Sequence, residues 1–215
     1  MSAHQKAKPQ QLLLQILVRM LVLPLSLLPF SWLLVANIGT EPISAGPNVC
    51  ATPGKDGPVN ATDIVNSYFP PLANTTLNSG DSSITLDSYY TAGANVPFSA
   101  GDMLMIFQMQ DASIDSSNTA AYGSGNVAND GKGITSLNNT GLYEFVRATN
   151  DVPLSGGVLN FVGGNANDGV INSYTNADAT PTQGRRTFQI IRVVQYASLT
   201  LTQNITVPDW DGNVG

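Results

Sequence analysis

The sequence predicts an all-β protein, a sandwich or small barrel of short strands with long polar loops, preceded by an N-terminal hydrophobic helix. After residue 46, polar and apolar residues alternate with period two in one short run after another, which is the pattern of half-buried strands. No amphipathic helix pattern of usual length occurs in that region. Only 11% of the residues are charged, and glycine is abundant, a composition typical of turn-rich β structure.

Residues 1–45 have the features of a leader for export. A polar start with Lys6 and Lys8 precedes the apolar residues 12–36, and Ile43-Ser44-Ala45 supplies the small residues of a cleavage site. Two interpretations stay open: a cleaved signal peptide, or an uncleaved signal anchor that forms a transmembrane helix. Both predict export to the cell surface or the extracellular space, with membrane contact only through residues 12–36.

The rest of the chain divides into three parts. Residues 46–58 are rich in proline and glycine and are predicted to be a linker. Residues 59–207 are predicted to form the all-β module. Residues 208–215 are expected to be the start of a further element or a truncated tail.

Three long apolar runs are predicted to lie side by side at the centre of the module: Met103–Gln110, Leu142–Thr149 and Thr187–Tyr196. Each is apolar on both faces, as central strands are, and Leu104, Ile106 or Phe107 should lie in the core. Residues 111–141 and 163–184 are predicted to be polar loops. Further strands are predicted at Val59–Val65, Ser83–Asp87, Gly157–Val162 and Ser198–Thr202.

Charge and side-chain chemistry exclude several functions. The net charge is -6, and three of the nine basic residues but only one of the 15 acidic residues lie in the first 45 positions. The exported part is therefore more acidic than the whole chain, which disfavours binding to nucleic acid. Cys50 is the only cysteine, and His4, the only histidine, lies in the leader. An intramolecular disulfide, a His–Cys zinc site and a Ser-His-Asp triad are thus excluded.

Five sequence segments together resemble the N-terminal region of large secreted bacterial surface proteins that carry glycine-rich β repeats and conserved-repeat Ig-like domains. The resemblance covers roughly residues 48–215 and implies location and class more than mechanism. The segments that carry it are 66–70 (NSYFP), 100–112 (AGDMLMIFQMQDA), 136–145 (SLNNTGLYEF), 172–177 (NSYTNA) and 186–196 (RTFQIIRVVQY).

Two groups of oxygen-bearing side chains are candidates for chemistry. Asp209, Asp211 and Asn213 alternate along the chain as calcium ligands can, although the same residues are what tight turns need. A second group of carboxylates could provide paired catalytic groups. In the alternative interpretation, Asp102 caps a turn after Gly101, and Glu144 pairs with a cation such as Arg147 or Arg192. This second group consists of Asp102, Asp111, Asp115 and Glu144.

Tyr122 and Tyr174 lie in the polar loops and are the candidates for surface contact, for example by stacking on sugar rings. We therefore expect a non-enzymatic, structural or adhesive module of a bacterial surface protein, without a cofactor unless calcium binds. Its expected partners are cell-envelope or extracellular surface components, with polysaccharide as one candidate. The alternative is a carbohydrate-binding or carbohydrate-active module that uses carboxylates and exposed aromatic residues.

Overall fold

The computed structural model describes residues 49–115 and 133–215, and these residues form strands, turns and loops without a helix. The all-β prediction is confirmed. The strands are β1 Pro58–Ala61, β2 Tyr68–Phe69, β3 Thr75–Leu77, β4 Ser83–Leu86, β5 Met103–Gln110, β6 Ser113–Asp115, β7 Gly133–Ser136, β8 Tyr143–Ala148, β9 Gly157–Val162, β10 Tyr174–Asn176, β11 Thr187–Val193 and β12 Ser198–Leu201.

The main element is a six-stranded antiparallel sheet in the order β2-β11-β5-β8-β9-β4. Strand β5 is central: Ile106 lies opposite Ile190 of β11 on one side and Glu144 of β8 on the other. The three apolar runs that the sequence places at the centre of the module are therefore neighbours, as predicted.

The sheet curls into a half-barrel, and the residues that follow the edge strand β2 reach the opposite edge strand, β4. The chain leaves β2 and runs along β4, where Pro71 forms an isolated bridge with Leu86. The Leu72 amide donates to the Thr85 carbonyl at 2.9 Å, and the Asp87 amide donates to the Pro70 carbonyl at 3.0 Å. A proline suits this place because its missing amide hydrogen is tolerated at a strand edge.

The concave side of the curled sheet holds the hydrophobic core. Leu104 and Ile106 of β5 are fully buried there, together with Val146 of β8 and Ile190 of β11. Aromatic rings fill the remaining space: the ring centroids of Phe69 and Phe98 are 4.3 Å apart, and those of Tyr174 and Phe188 are 5.9 Å apart. The full core cluster is Phe69, Leu77, Ile84, Leu86, Phe98, Leu104, Ile106, Val146, Ala148, Val152, Leu159, Phe161, Val170, Tyr174, Phe188 and Ile190.

Three two-stranded pairs accompany the main sheet. Strands β3 and β10 pair in antiparallel fashion, as do β6 and β7, whereas β1 and β12 pair in parallel. Strands β6, β7 and β10 lie within the two segments that the sequence predicts to be polar loops. Strand β12 follows β11 along the chain but pairs with β1 and not with β11.

Within the described ranges, 49–115 and 133–215, there is no helix of the length and hydropathy needed to cross a membrane. The predicted N-terminal hydrophobic segment, residues 12–36, and the rest of the leader up to Ala45 lie outside these ranges.

The alternation of buried and half-buried side chains along β5 leads to a stability prediction. Ile106 is fully buried on the concave face, whereas Phe107 points to the other face and is only half-buried, so of the three expected core residues only Leu104 and Ile106 lie in the core. Ile106→Ala should cost about 2–5 kcal/mol of unfolding free energy because it leaves a cavity. Phe107→Ala should cost about 1 kcal/mol, roughly half the transfer free energy of a fully buried phenylalanine.

Urea melts of residues 45–215, which form a compact unit, measure both costs. Equal losses for the two variants would contradict the assignment of the concave face as the core.

Candidate functional site

The convex face of the sheet carries a row of three aromatic side chains, Phe107, Tyr143 and Phe145, which we call the aromatic row. Phe107 lies directly opposite Tyr143 in the β5–β8 register. The ring centroids of Phe107 and Tyr143 are 6.5 Å apart, and those of Tyr143 and Phe145 are 6.0 Å apart, both in edge-to-face geometry. Tyr143 is 57% exposed and Phe145 is 44% exposed. Such contacts hold the rings in fixed orientations while their outer surfaces remain in water.

The residues beside the aromatic row are apolar or basic. Met105 pairs with Phe145, and Arg147 follows Phe145 by two positions, so both side chains lie on the convex face. Both are half-buried. Methionine, arginine and aromatic residues are the types enriched at the centres of binding interfaces, where acidic residues and lysine are depleted.

The C-terminal residues cover the neighbouring part of this face. The side-chain amide of Gln189 on β11 bonds the Gly215 backbone in both directions, at 3.0 and 3.1 Å, and Val214 is buried. This cover explains why β11 is buried on both faces, whereas β8 alternates between buried and exposed residues. The aromatic row therefore lies on the part of the convex face that the described residues leave open, and this open part continues over Val158 and Asn160 of β9.

Glu144 has a structural role on the concave face. Its carboxylate is buried and accepts hydrogen bonds from the Ile171 amide at 2.8 Å, the Asn172 amide at 2.9 Å and the Tyr174 hydroxyl at 3.0 Å. The expected pairing with Arg147 or Arg192 is wrong, because donors from residues 171–174 occupy the carboxylate. Burial, and then the nearby Glu144 carboxylate, raise the pKa of Tyr174 far above its usual value.

Gln108 holds Thr175 and Thr187 through similar buried hydrogen bonds. Its fully buried side-chain amide donates to the Thr175 and Thr187 carbonyls at 2.8 and 3.1 Å and accepts from the Thr175 amide at 2.9 Å. Together, Gln108 and Glu144 attach β10 to the concave face of the sheet. Strand β10 in turn holds β3.

Asp102 also serves the fold. Its carboxylate accepts from the Ser99 amide at 2.8 Å, which confirms the predicted turn, and it pairs with Arg192 at 3.0 Å and with Lys55. Arg192 pairs further with Asp56. Burial alone would lower the pKa of Arg192, but the hydrogen bond and charge of Asp102, together with Asp56, raise it above its usual value. Lys55 and Asp56 fall within the predicted linker, and these ion pairs tie them to the sheet.

The remaining carboxylates of the catalytic hypothesis lie around β6. Asp111 accepts from the Asn139 amide at 3.0 Å, and its own amide donates to the Thr140 hydroxyl at 2.8 Å. Asp115 ends β6. Asp102 and Asp111 flank the two ends of β5, and Glu144 is held by residues 171–174, so each of these three carboxylates has its own set of donors.

The calcium candidates form a turn. The Asp211 carboxylate accepts from the amides of Asn213 and Val214, both at 2.8 Å, and the Asn213 side-chain oxygen accepts from Arg185 at 3.1 Å. Asp209 accepts the Tyr90 hydroxyl through its backbone carbonyl at 2.9 Å. These bonds match the turn interpretation. The described part of the chain contains no cluster of three or more His, Cys, Asp or Glu side chains arranged to hold a metal ion.

The two tyrosines proposed for surface contact have different outcomes. Tyr174 is fully buried, so its assignment as a contact residue is wrong: its ring packs on Phe188, and its hydroxyl bonds Glu144. Tyr122 lies outside the described residues. Among the described residues, the exposed aromatic side chains are Tyr143, Phe145 and Trp210. The sequence indicates Tyr143 and Phe145 only as two positions on one face of a central strand.

An open depression of about 410 Å³ lies beside β3, β4 and β9. Its lining is neutral and carries hydroxyl, amide and aliphatic groups but no aromatic or charged side chain. The lining residues are Leu72, Asn74, Thr75, Thr76, Leu77, Ser83, Ile84, Thr85 and Val158.

Comparison with known proteins gives no relative: no family model, no curated protein and no solved structure matches the chain. The candidate site therefore rests on its own geometry, and the convex face with its aromatic row is the feature of the described residues best suited to binding.

The hydrogen bonds to the buried Glu144 carboxylate lead to a second stability prediction. Tyr174→Phe removes a buried donor to a carboxylate and should cost about 1.5–3 kcal/mol of unfolding free energy, the usual contribution of a hydrogen bond to a charged group. Tyr143→Phe is the matched control, since it removes the hydroxyl of a largely exposed ring, and it should change stability by less than about 0.5 kcal/mol. Denaturant melts of the two variants compare them directly, and a Tyr174→Phe loss as small as that of the control would contradict the anchoring role.

Proposed function

We propose that the protein is a non-enzymatic, adhesive or structural module of the bacterial cell surface that makes contact through its aromatic row. In this proposal residues 1–45 form the export signal, either a cleaved signal peptide or a signal anchor with a hydrophobic helix. The resemblance to secreted surface proteins supports the location. The single observation that carries the contact role is the exposure of Tyr143 and Phe145 on the open part of a rigid sheet.

The physical argument concerns the cost of exposed aromatic surface. Large aromatic side chains contribute most to the free energy of folding or binding when they are buried. Two such side chains held side by side in water do not make that contribution. A partner that covers Tyr143 and Phe145 recovers it, with little loss of side-chain entropy because neighbouring rings already restrain them. The row lies on β5 and β8, each of which is flanked on both sides by other strands, so its geometry is preorganised.

The hydrogen bonds and ion pairs that the buried carboxylates form within the protein support a non-enzymatic role. A carboxylate that acts as a general acid or base must be within reach of a substrate. The Glu144 carboxylate is buried beneath residues 171–174, and the Asp102 carboxylate is buried against Arg192 and Lys55. Both carboxylates therefore serve the fold.

The second candidate function is binding of carbohydrate. Tyr143 and Phe145 on a flat sheet face favour it, because aromatic faces stack on the apolar faces of sugar rings. The molecule is acidic, with a net charge of -6, so a neutral glycan fits this face better than an anionic one.

Binding assays with residues 45–215 distinguish the two functions. The first probe is a layer of bacterial cells that lack this gene, and the second is a set of neutral glycans: cellulose, chitin and soluble β-glucan. The adhesive proposal predicts retention on the cell layer, with a loss of about tenfold or more on replacing both Tyr143 and Phe145 by alanine, since removing two interface anchors costs at least about 1.4 kcal/mol.

Ile134→Ala is the control, because Ile134 is similarly exposed, at 61%, but lies on β7 away from the aromatic row. Retention by glycans instead of cells, with the same loss in the double variant, would favour the carbohydrate function. Binding that is unchanged in the double variant, on either probe, would exclude the aromatic row as the contact surface.

A further inference from the structure

A second apolar surface lies on β12 and the residues that follow it. Every residue from 197 to 207 is exposed, although this stretch contains four large apolar side chains. Leu199 is 45% exposed, Leu201 58%, Ile205 40% and Val207 73%. The stretch has the alternating polar and apolar pattern of a strand with one apolar face.

One edge of this stretch is paired and the other is open. The backbone amides of Ala197, Thr202 and Thr206 donate to the carbonyls of Gly57, Ala61 and Asp63, all on the β1 side. Among the described residues, β12 has no strand partner on its other edge. A two-stranded ribbon is marginally stable alone, and parallel pairs normally occur inside larger, covered sheets.

The open edge lacks the features that usually prevent strands from pairing with other molecules. Protected edges carry a lysine or other charged residue, a proline or a bulge. Residues 197–207 contain no charged residue, no proline and no glycine, and the β1–β12 register from Ser198 to Leu201 has no bulge. By contrast, the residues that follow β2 reach the β4 edge of the six-stranded sheet at the Pro71–Leu86 bridge.

We propose that β12 is a self-association edge that pairs with β12 of a second copy of this chain in antiparallel fashion. One observation favours a second copy as the occupant: the sequence Ser-Leu-Thr-Leu-Thr is nearly symmetric about Thr200, so the same strand in reverse presents matching residues. Two copies of this acidic molecule repel each other, but the stretch 197–207 is uncharged and adds no repulsion at the contact itself.

Two-fold pairing about Thr200 places the apolar side chains together. Thr200 lies opposite Thr200 of the second copy, and Leu199 lies opposite Leu201 of the second copy, so four leucines form a strip on one face. Directly opposed residues in an antiparallel pair have Cβ atoms about 4.5–5.5 Å apart. A cysteine at position 200 can then form a disulfide with its counterpart after small adjustment. This inference does not depend on the aromatic row.

Oxidative cross-linking of the full chain in intact cells tests the proposal. Cys50, which is exposed and free, is first replaced in C50S so that each further variant has one cysteine. Thr200→Cys is the main variant, and Ser198→Cys and Thr202→Cys on the same face allow for a shift in register. Thr149→Cys is the matched control, because Thr149 is exposed at the end of β8, away from β12.

The proposal predicts that at least one of the three β12 variants forms disulfide-linked dimers at least about fivefold more efficiently than the control. It also predicts that adding Leu201→Lys reduces this yield to the control level, because lysine at an edge opposes pairing. Dimer yields no greater than that of the control at all three positions would overturn it. A yield that is unaffected by Leu201→Lys would overturn it as well.

Discussion

The buried Glu144 carboxylate is the interaction on which the arrangement of the concave face depends. A carboxylate is costly to bury unless hydrogen bonds compensate for the lost water. Among the described residues Glu144 forms no ion pair; its carboxylate accepts hydrogen bonds from two backbone amides and the Tyr174 hydroxyl, all within residues 171–174. The requirement to satisfy this one group determines where residues 171–174 lie. Gln108 then extends the same constraint to Thr175 and Thr187.

Because Glu144 and Gln108 lie on the concave face, the two faces of the sheet have different roles. Polar groups inside the curl attach β10, and with it β3, so the concave face is fully used by the fold. The convex face is covered beside β11 by the C-terminal residues, with Gly215 held by Gln189, and stays open over β8. The aromatic row occupies that open part. The contact surface of the proposed adhesive module therefore lies on a part of the sheet that no other described element covers.

Sequence patterns were sufficient for the strands with strong local signals. The bounds of β5 and β9 agree with the predicted runs Met103–Gln110 and Gly157–Val162, and β8 and β11 lie beside β5 as expected. These runs combine long apolar stretches with flanking turn residues, so neighbouring residues alone define them. Strand β10 is not predictable from the sequence, because Tyr174-Thr175-Asn176 is too short to carry a periodic signal and the partners Glu144 and Gln108 are distant in sequence.

The candidate site was harder to predict than the fold for a related reason. Both faces of β5 and β8 carry apolar residues, so the alternation does not show which face is exposed, and Phe107 is a core candidate beside Leu104 and Ile106. The polar neighbours of Tyr174 suggest a surface position, whereas the backbone amides of Asn172 and Thr175 bond Glu144 and Gln108 and so hold Tyr174 against the sheet. A signal was nevertheless present: a glutamate inside the apolar run Leu142–Thr149 needs buried partners, and Tyr174 is one of them.

Hydroxyl-radical footprinting by mass spectrometry tests the central claim most directly, because it reports the exposure of individual side chains before and after contact. The account predicts that Tyr143 and Phe145 are oxidised readily in the free module and become protected when it binds to the cell layer, while Ile134 is oxidised equally in both states. Unchanged oxidation of Tyr143 and Phe145 in the bound module would contradict the account.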